Sequence, residues 1–138
     1  MQGYNVIIIF NKDLDKLLFC ERKKDPYMGM KNFVGGKIEN GESSKDAAYR
    51  ELYEETSITK QDTTLTHLMD FTYYLDNTYV EVWVGSLNKE MEVVGEENEL
   101  FWSTLEHNFF DLDLYAGEGN IGHMLEHVKM YKDKILKK

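Results

Sequence analysis

The chain is 138 residues long, 42% hydrophobic and 30% charged, with a formal net charge of −9. That length suits one domain over residues 1–138 with a real core. The acidic balance argues against a nucleic acid polymer or an anionic membrane as partner, since both select cationic surfaces. A small phosphorylated ligand stays compatible, because a bound cation reverses the field locally. Cys20 is the only cysteine, which excludes an intrachain disulfide and fits a reducing compartment. The apolar run 6–10 is too short for a signal-peptide core or a membrane span. A cytoplasmic protein is expected, monomer or homodimer.

In chain order, residues 4–10 are apolar and β-branched, the pattern of a buried strand. Residues 11–15 turn the chain and 16–21 return as a second strand, a hairpin with a five-residue connection. Cys20 reads as a small packing residue rather than a nucleophile. Residues 22–32 form a cationic loop in an acidic chain, with Arg22, Lys23 and Lys24 at its start. By itself such a loop is solvated surface. Just ahead of a glycine-rich stretch, Arg22 and Lys23 become candidates for meeting phosphate.

Phe33 and Val34 then lead into Gly35 and Gly36, Asn40 and Gly41 make a turn, and Ser43 is a suitable N-cap with Asp46 three residues on. Along the following helix Glu51, Glu54 and Glu55 stand at i, i+3 and i+4, so three carboxylates share one face. Like charges at these spacings destabilise an isolated helix by about 0.2–0.5 kcal/mol per pair. Partly buried, at an effective dielectric near 20, each pair repels by roughly 3 kcal/mol. The helix dipole also disfavours anions in the C-terminal half. Arg50 relieves part of this through Glu54 at i+4, but one guanidinium does not neutralise three carboxylates. A hard divalent cation does, and Mg²⁺ takes a few carboxylates together with phosphate oxygens and water. Ala47 and Ala48, one turn earlier on the same side, leave room for an ion. In isolation the run from Arg50 to Glu55 is a solvated helix face; the spacing upstream of it decides for a metal site.

That spacing resembles the Nudix box, G-x5-E-x7-R-E-U-x-E-E-x-G-U with U aliphatic. Gly36, Glu42, Arg50, Glu51, Leu52, Glu54, Glu55 and Ile58 match in register, and Ser57 stands where the family has glycine. That glycine ends the helix, so the departure bears on the C-cap rather than on chemistry. The resemblance implies hydrolysis of a nucleoside diphosphate linked to another moiety, with Mg²⁺ or Mn²⁺. It implies Glu51, Glu54 and Glu55 as metal ligands, joined by the carbonyl of Gly35 or Gly36. Glu54 or Glu51 polarises the attacking water, Arg50 orients the glutamates, and Glu42 supports the loop or joins the outer metal shell. Asn32 and the run 35–39 further resemble the 8-oxo-dGTP-diphosphatase-like (MutT-type) branch, where an Asn in that place contacts the purine. An amide, with both a donor and an acceptor, suits a purine edge.

After the box, residues 64–75 and 78–87 read as two strands joined by a two-residue turn at Asp76 and Asn77. His67 packs or faces solvent, and Trp83 belongs to the core. Residues 89–99 are an acidic connector. By the resemblance, one more metal carboxylate comes from this region, and Glu97 and Glu99 are the candidates. Phe109 and Phe110 pack under a final amphipathic helix whose inward positions are Ile121, Met124, Leu125, Val128, Tyr131 and Ile135. Asn120 is its natural N-cap; in the MutT-type branch a residue there contacts the base. His123 and His127, four apart without a third ligand, read as helix surface.

The element order fits an α/β fold, a Nudix-type α/β/α sandwich with a mixed β-sheet. The expected activity is Mg²⁺-dependent hydrolysis of a nucleoside triphosphate, a purine deoxynucleotide such as 8-oxo-dGTP, to monophosphate and pyrophosphate. The rival enzyme reading is a pyrophosphatase for ADP-ribose, a dinucleotide polyphosphate or a nucleotide sugar. A non-hydrolytic nucleotide sensor is the rival from another class, and the intact carboxylates disfavour it.

Overall fold

Ile7, Ile8, Ile9 and Phe10 are all buried, and their alternation along one strand sets the layering. The computed structural model describes residues 1–95 and 98–136. Strand β1 (Gln2–Phe10) sends Ile7 and Ile9 into one core and Ile8 and Phe10 into the other. A strand buried on both faces carries an unbroken apolar run, as 6–10 does.

The remaining elements are β2 (Lys16–Glu21), β3 (Lys31–Asn32), α1 (Ser44–Thr56), β4 (Thr66–Tyr73), β5 (Thr78–Ser86), β6 (Glu99–Thr104) and α2 (Asn120–Ile135). The sheet runs β3-β2-β1-β5-β4, with β6 paired to β2. β1 and β5 are parallel from Gln2 opposite Thr78 to Phe10 opposite Ser86, while the other pairs are antiparallel, so the sheet is mixed. Beyond β3 the chain crosses β1, with Val34 opposite Ile7 and Lys37 opposite Tyr4. Helix α1 lays Ala48, Tyr49 and Leu52 on Ile7, Ile9, Leu18 and Trp83. Helix α2 lays Ile121, Met124, Leu125 and Val128 on Ile8, Phe10, Phe19, Val82 and Val84. The result is the α/β/α sandwich that the sequence predicts.

Four local expectations change. Ala47 and Ala48 are fully buried in the sheet-facing side of α1 and leave no room for an ion. Tyr131 is 41% exposed, although Ile135 and Leu136 beyond it still pack against the core, so it lies off the inward face of α2. The β4–β5 connection has four residues rather than two: Tyr73 already ends β4, and Asn77 adopts φ 55° with its N–H on the Tyr74 carbonyl. The N-cap of α2 is Gly119 at φ 90°, not Asn120, whose side chain is engaged elsewhere. By contrast Ser43 caps α1 as expected, accepting the Asp46 N–H at 3.1 Å.

Candidate active site

Gly35 and Gly36 lie between β1 and α1, and both contacts need a residue without a side chain. A Cβ on Gly35 would fall 2.1 Å from the Asn5 carbonyl oxygen, and one on Gly36 would fall 2.5 Å from the Glu51 carboxyl carbon. β1 holds Gly36 through two hydrogen bonds: Asn5 N–H donates to the Gly36 carbonyl (2.8 Å), and Gly36 N–H donates to Asn5 Oδ1 (3.0 Å). From the helix side Glu55 Oε2 accepts the Gly35 N–H at 2.7 Å. The glycine turn is thereby tied to one carboxylate of the trio and pressed against another.

Arg50 organises the other side. Its Nε and Nη2 form a fork on Glu42, at 3.0 and 2.7 Å. Nη1 reaches Glu51 Oε1 (2.9 Å) and Glu54 Oε2 (3.2 Å), while Nη2 also donates to the Lys37 carbonyl. One guanidinium thus spans the loop and two helix carboxylates with the planar geometry lysine lacks. Its hydrogen bonds hold the Glu42 carboxyl below the usual carboxylate range. Glu51 moves the other way: burial raises its pKa, opposed by Arg50 and reinforced by Glu54 and Glu42.

Glu51, Glu54 and Glu55 line one cleft of about 180 Å³ together with Cys20, Val34, Asn98 and Leu100. Cys20 is buried there and its thiol is pushed up to about 11, by desolvation first and Glu55 second, so it stays protonated and is no nucleophile. Arg22 and Lys23 line an adjoining recess of about 260 Å³ with Lys24 and Asn98. Asn98 belongs to both walls, and its Oδ1 accepts the Lys23 N–H at 3.2 Å. It was not legible in the sequence, where it is one polar residue within an acidic connector.

Of the two candidate connector carboxylates, Glu97 lies outside the described residues. Glu99 is in β6 with its side chain 74% exposed and paired to Lys23 at 3.5 Å. Its neighbours Asn98 and Leu100, not Glu99, line the cleft. Asn32 sits in β3 opposite Cys20, with its Oδ1 on the Phe33 N–H at 2.9 Å. Lys31 pairs with the segment around Tyr115, which brings the approach to α2 alongside β3. Asn120 donates from Nδ2 to the Tyr73 hydroxyl at 2.9 Å. Asn32 thus stands on β3, while Asn120 is held to β4 at the other end of the strand order.

A separate group of metal-capable side chains lies on the β4–β5 edge. His67, Asp70 and Glu81 bring ligand atoms within 4.8 Å of one another, and a bulge between His67 and Met69 aligns the first two. Their atoms are already used. His67 Nε2 meets Asp70 at 2.6 Å, and Glu81 accepts from Ser44 (2.8 Å) and Trp83 (3.1 Å). The His67 ring stacks on Trp83 at 4.7 Å. None of the three lines the carboxylate cleft.

A mixed sheet between two helices thus carries a glycine turn and an arginine-clamped carboxylate cleft, a lining rich in oxygen donors that suits a hard cation. The Nudix domain family matches residues 1–125. The chain is 31% identical over 93 residues to the 8-oxo-dGTP diphosphatase of Escherichia coli K12, spanning 66% of this chain and 70% of that one. Among solved structures, a MutT described for Aliivibrio salmonicida and Vibrio cholerae superposes with TM-score 0.70 at 26% identity, covering 94% of this chain and 98% of that one. The Caenorhabditis elegans Ap4A hydrolase gives TM-score 0.76 at 21% identity, covering 96% and 98%. The chain belongs to the Nudix family, whose enzymes are divalent-metal-dependent pyrophosphohydrolases. Among the described residues no helix is long and apolar enough to cross a membrane.

Proposed function

We propose that residues 1–138 act as one catalytic domain that hydrolyses a nucleoside triphosphate to the monophosphate and pyrophosphate with Mg²⁺, or Mn²⁺ in its place. The substrate is a purine deoxynucleotide, with oxidised forms such as 8-oxo-dGTP included. The observation that carries this reading is the cleft itself: three carboxylates line it beside a cationic recess, with Asn98 common to both. The identity with the Escherichia coli 8-oxo-dGTP diphosphatase supports the choice of substrate. The reading includes a cytoplasmic monomer or homodimer and no nucleic acid polymer or membrane as partner.

The residues fit a hard divalent cation, since every donor offered is an oxygen. Glu51, Glu54 and Glu55 would hold it. The Gly36 carbonyl already accepts Asn5 N–H, so Gly35 is the better source of a backbone oxygen. The cation supplies charge neutralisation along the phosphate chain and polarises the scissile anhydride. Arg50 fixes the carboxylates before substrate arrives, and Arg22 and Lys23 meet the phosphates. Glu54, with its side chain 50% exposed, reaches water. With Glu51 it is the candidate to take the proton as the water oxygen bonds to phosphorus. The P–O anhydride bond then breaks, and its electron pair leaves with the departing phosphate group. Asn32 and Asn120 recognise the purine.

The test is product analysis over a panel of canonical and oxidised nucleoside triphosphates, ADP-ribose, dinucleoside polyphosphates and nucleotide sugars. Pyrophosphate release from purine triphosphates supports the proposal. Turnover of ADP-ribose or dinucleotides with no pyrophosphate from any triphosphate overturns it. Tight Mg²⁺-dependent nucleotide binding without turnover of anything would instead make the chain a sensor.

A further inference from the structure

Five non-glycine residues among those described have positive φ, and two of them are partners in one hydrogen bond. Tyr27, at φ 68°, donates its hydroxyl to Glu118 Oε1 at 2.6 Å across 91 positions of sequence, and Glu118 is at φ 54°. Left-handed backbone is costly for both residue types, and for a bulky one it persists only where surrounding structure enforces it. Each partner has such a frame. Tyr27 is in a loop closed on itself, with Arg22 N–H on the Met30 carbonyl, Gly29 N–H on the Arg22 carbonyl, and Arg22 Nε on the Pro26 carbonyl. Glu118 stands between Gly117 (φ 89°) and Gly119 (φ 90°), so three successive left-handed residues form the mouth of α2. One residue on, Asn120 is tied to the Tyr73 hydroxyl at 2.9 Å. Glu118 is the largest influence on the Tyr27 hydroxyl and pushes it up to about 12, which keeps it a proton donor.

We propose that Tyr27 and Glu118 form a strap joining the cationic loop to the mouth of α2, and that Tyr27 is a positioning residue for nucleotide recognition, acting through Glu118 on Asn120. The strap keeps phosphate contacts on one loop in register with the base contact on the other. It rests on the purine-triphosphate reading given above, but its structural half does not.

Tyr27→Phe removes one oxygen and nothing else. We expect it to raise KM for dGTP about tenfold with kcat within about twofold, the size of one charge-assisted hydrogen bond. The preference for purine over pyrimidine triphosphates falls with it. Glu118→Ala gives the same KM, and the double variant is no worse than either single one, because both remove one interaction. Amide exchange at residues 117–120 of the nucleotide-free protein accelerates about tenfold in Tyr27→Phe. Parental KM and base preference in both variants, or KM effects that multiply in the double variant, overturn the recognition role. Unchanged exchange in Tyr27→Phe overturns the strap. If the parent turns over no triphosphate, the functional proposal fails and the exchange measurement alone decides the strap.

Discussion

Gly36, in the segment between β3 and α1, packs against Glu51 so closely that a Cβ on the glycine would lie 2.5–2.6 Å from all three carboxyl atoms of the glutamate. The box glycine is therefore a statement about where a carboxylate sits. Gly36→Ala forces Glu51 to move by an ångström or more, since the β1 hydrogen bonds hold the glycine backbone in place. Misplacement of that order costs roughly 100-fold in turnover. We expect kcat/KM to drop by about that factor with the circular dichroism spectrum preserved; parental activity would contradict the contact.

Glu54 is the most exposed of the two trio members that touch Arg50, with its side chain 50% accessible against 14% for Glu51. Glu54→Gln keeps the size and removes the charge, so folding should persist while turnover falls by about 10³-fold or more. Thermal melts and pyrophosphate release measured on one preparation check both halves. Full activity in a folded Glu54→Gln protein would remove Glu54 from the proposed role.

Glu51 fixes the sign of the pH dependence. Burial raises its pKa, so ionising it in the folded state is unfavourable, and its protonation favours folding. That contribution is present below the unfolded-state pKa and is lost as pH rises through the folded one. Glu42, whose pKa Arg50 lowers, acts oppositely: its contribution is present at neutral pH and lost as pH falls through its depressed folded value. A cation needs Glu51 ionised. Mn²⁺ affinity, followed by calorimetry from about pH 4.5 to about pH 8, should therefore weaken on acidification within a range above the ordinary carboxylate pKa. An affinity flat across that interval would contradict the ligand assignment.

Ser57 replaces the glycine of the box and does what that glycine does. It ends α1 at φ 68° with its N–H on the Tyr53 carbonyl at 2.9 Å, bearing the strain of a Cβ in left-handed backbone. Ser57→Gly relieves about 1 kcal/mol, which corresponds to a rise in thermal midpoint of roughly 3–5 °C. Activity should stay unchanged, because the side chain is exposed beyond the helix end. A lower midpoint would show that the serine is preferred there.

The layering was legible in local periodicity, an unbroken apolar β1, and the carboxylate face of α1 in its i, i+3 and i+4 spacing taken together with the register of Gly36 and Glu42 upstream. What periodicity misses is which direction an element faces against its neighbour. Ala47 and Ala48 share a broad side of α1 with the carboxylates, yet rotation of the helix onto Ile7 and Ile9 buries them in the core. Asn98, Tyr73 and the Tyr27–Glu118 contact depend on loops that meet across the sheet, and no spacing in the sequence encodes such meetings. Asn120 was misplaced as a cap because Gly117, Glu118 and Gly119 wind left-handed ahead of it and take the cap position themselves.

The most direct test of the metal site is anomalous diffraction from crystals soaked in Mn²⁺. A peak among Glu51, Glu54 and Glu55, beside the Gly35–Gly36 turn, is the predicted result. An empty cleft in crystals that still turn over nucleotide, or a peak only at His67, Asp70 and Glu81, would contradict it.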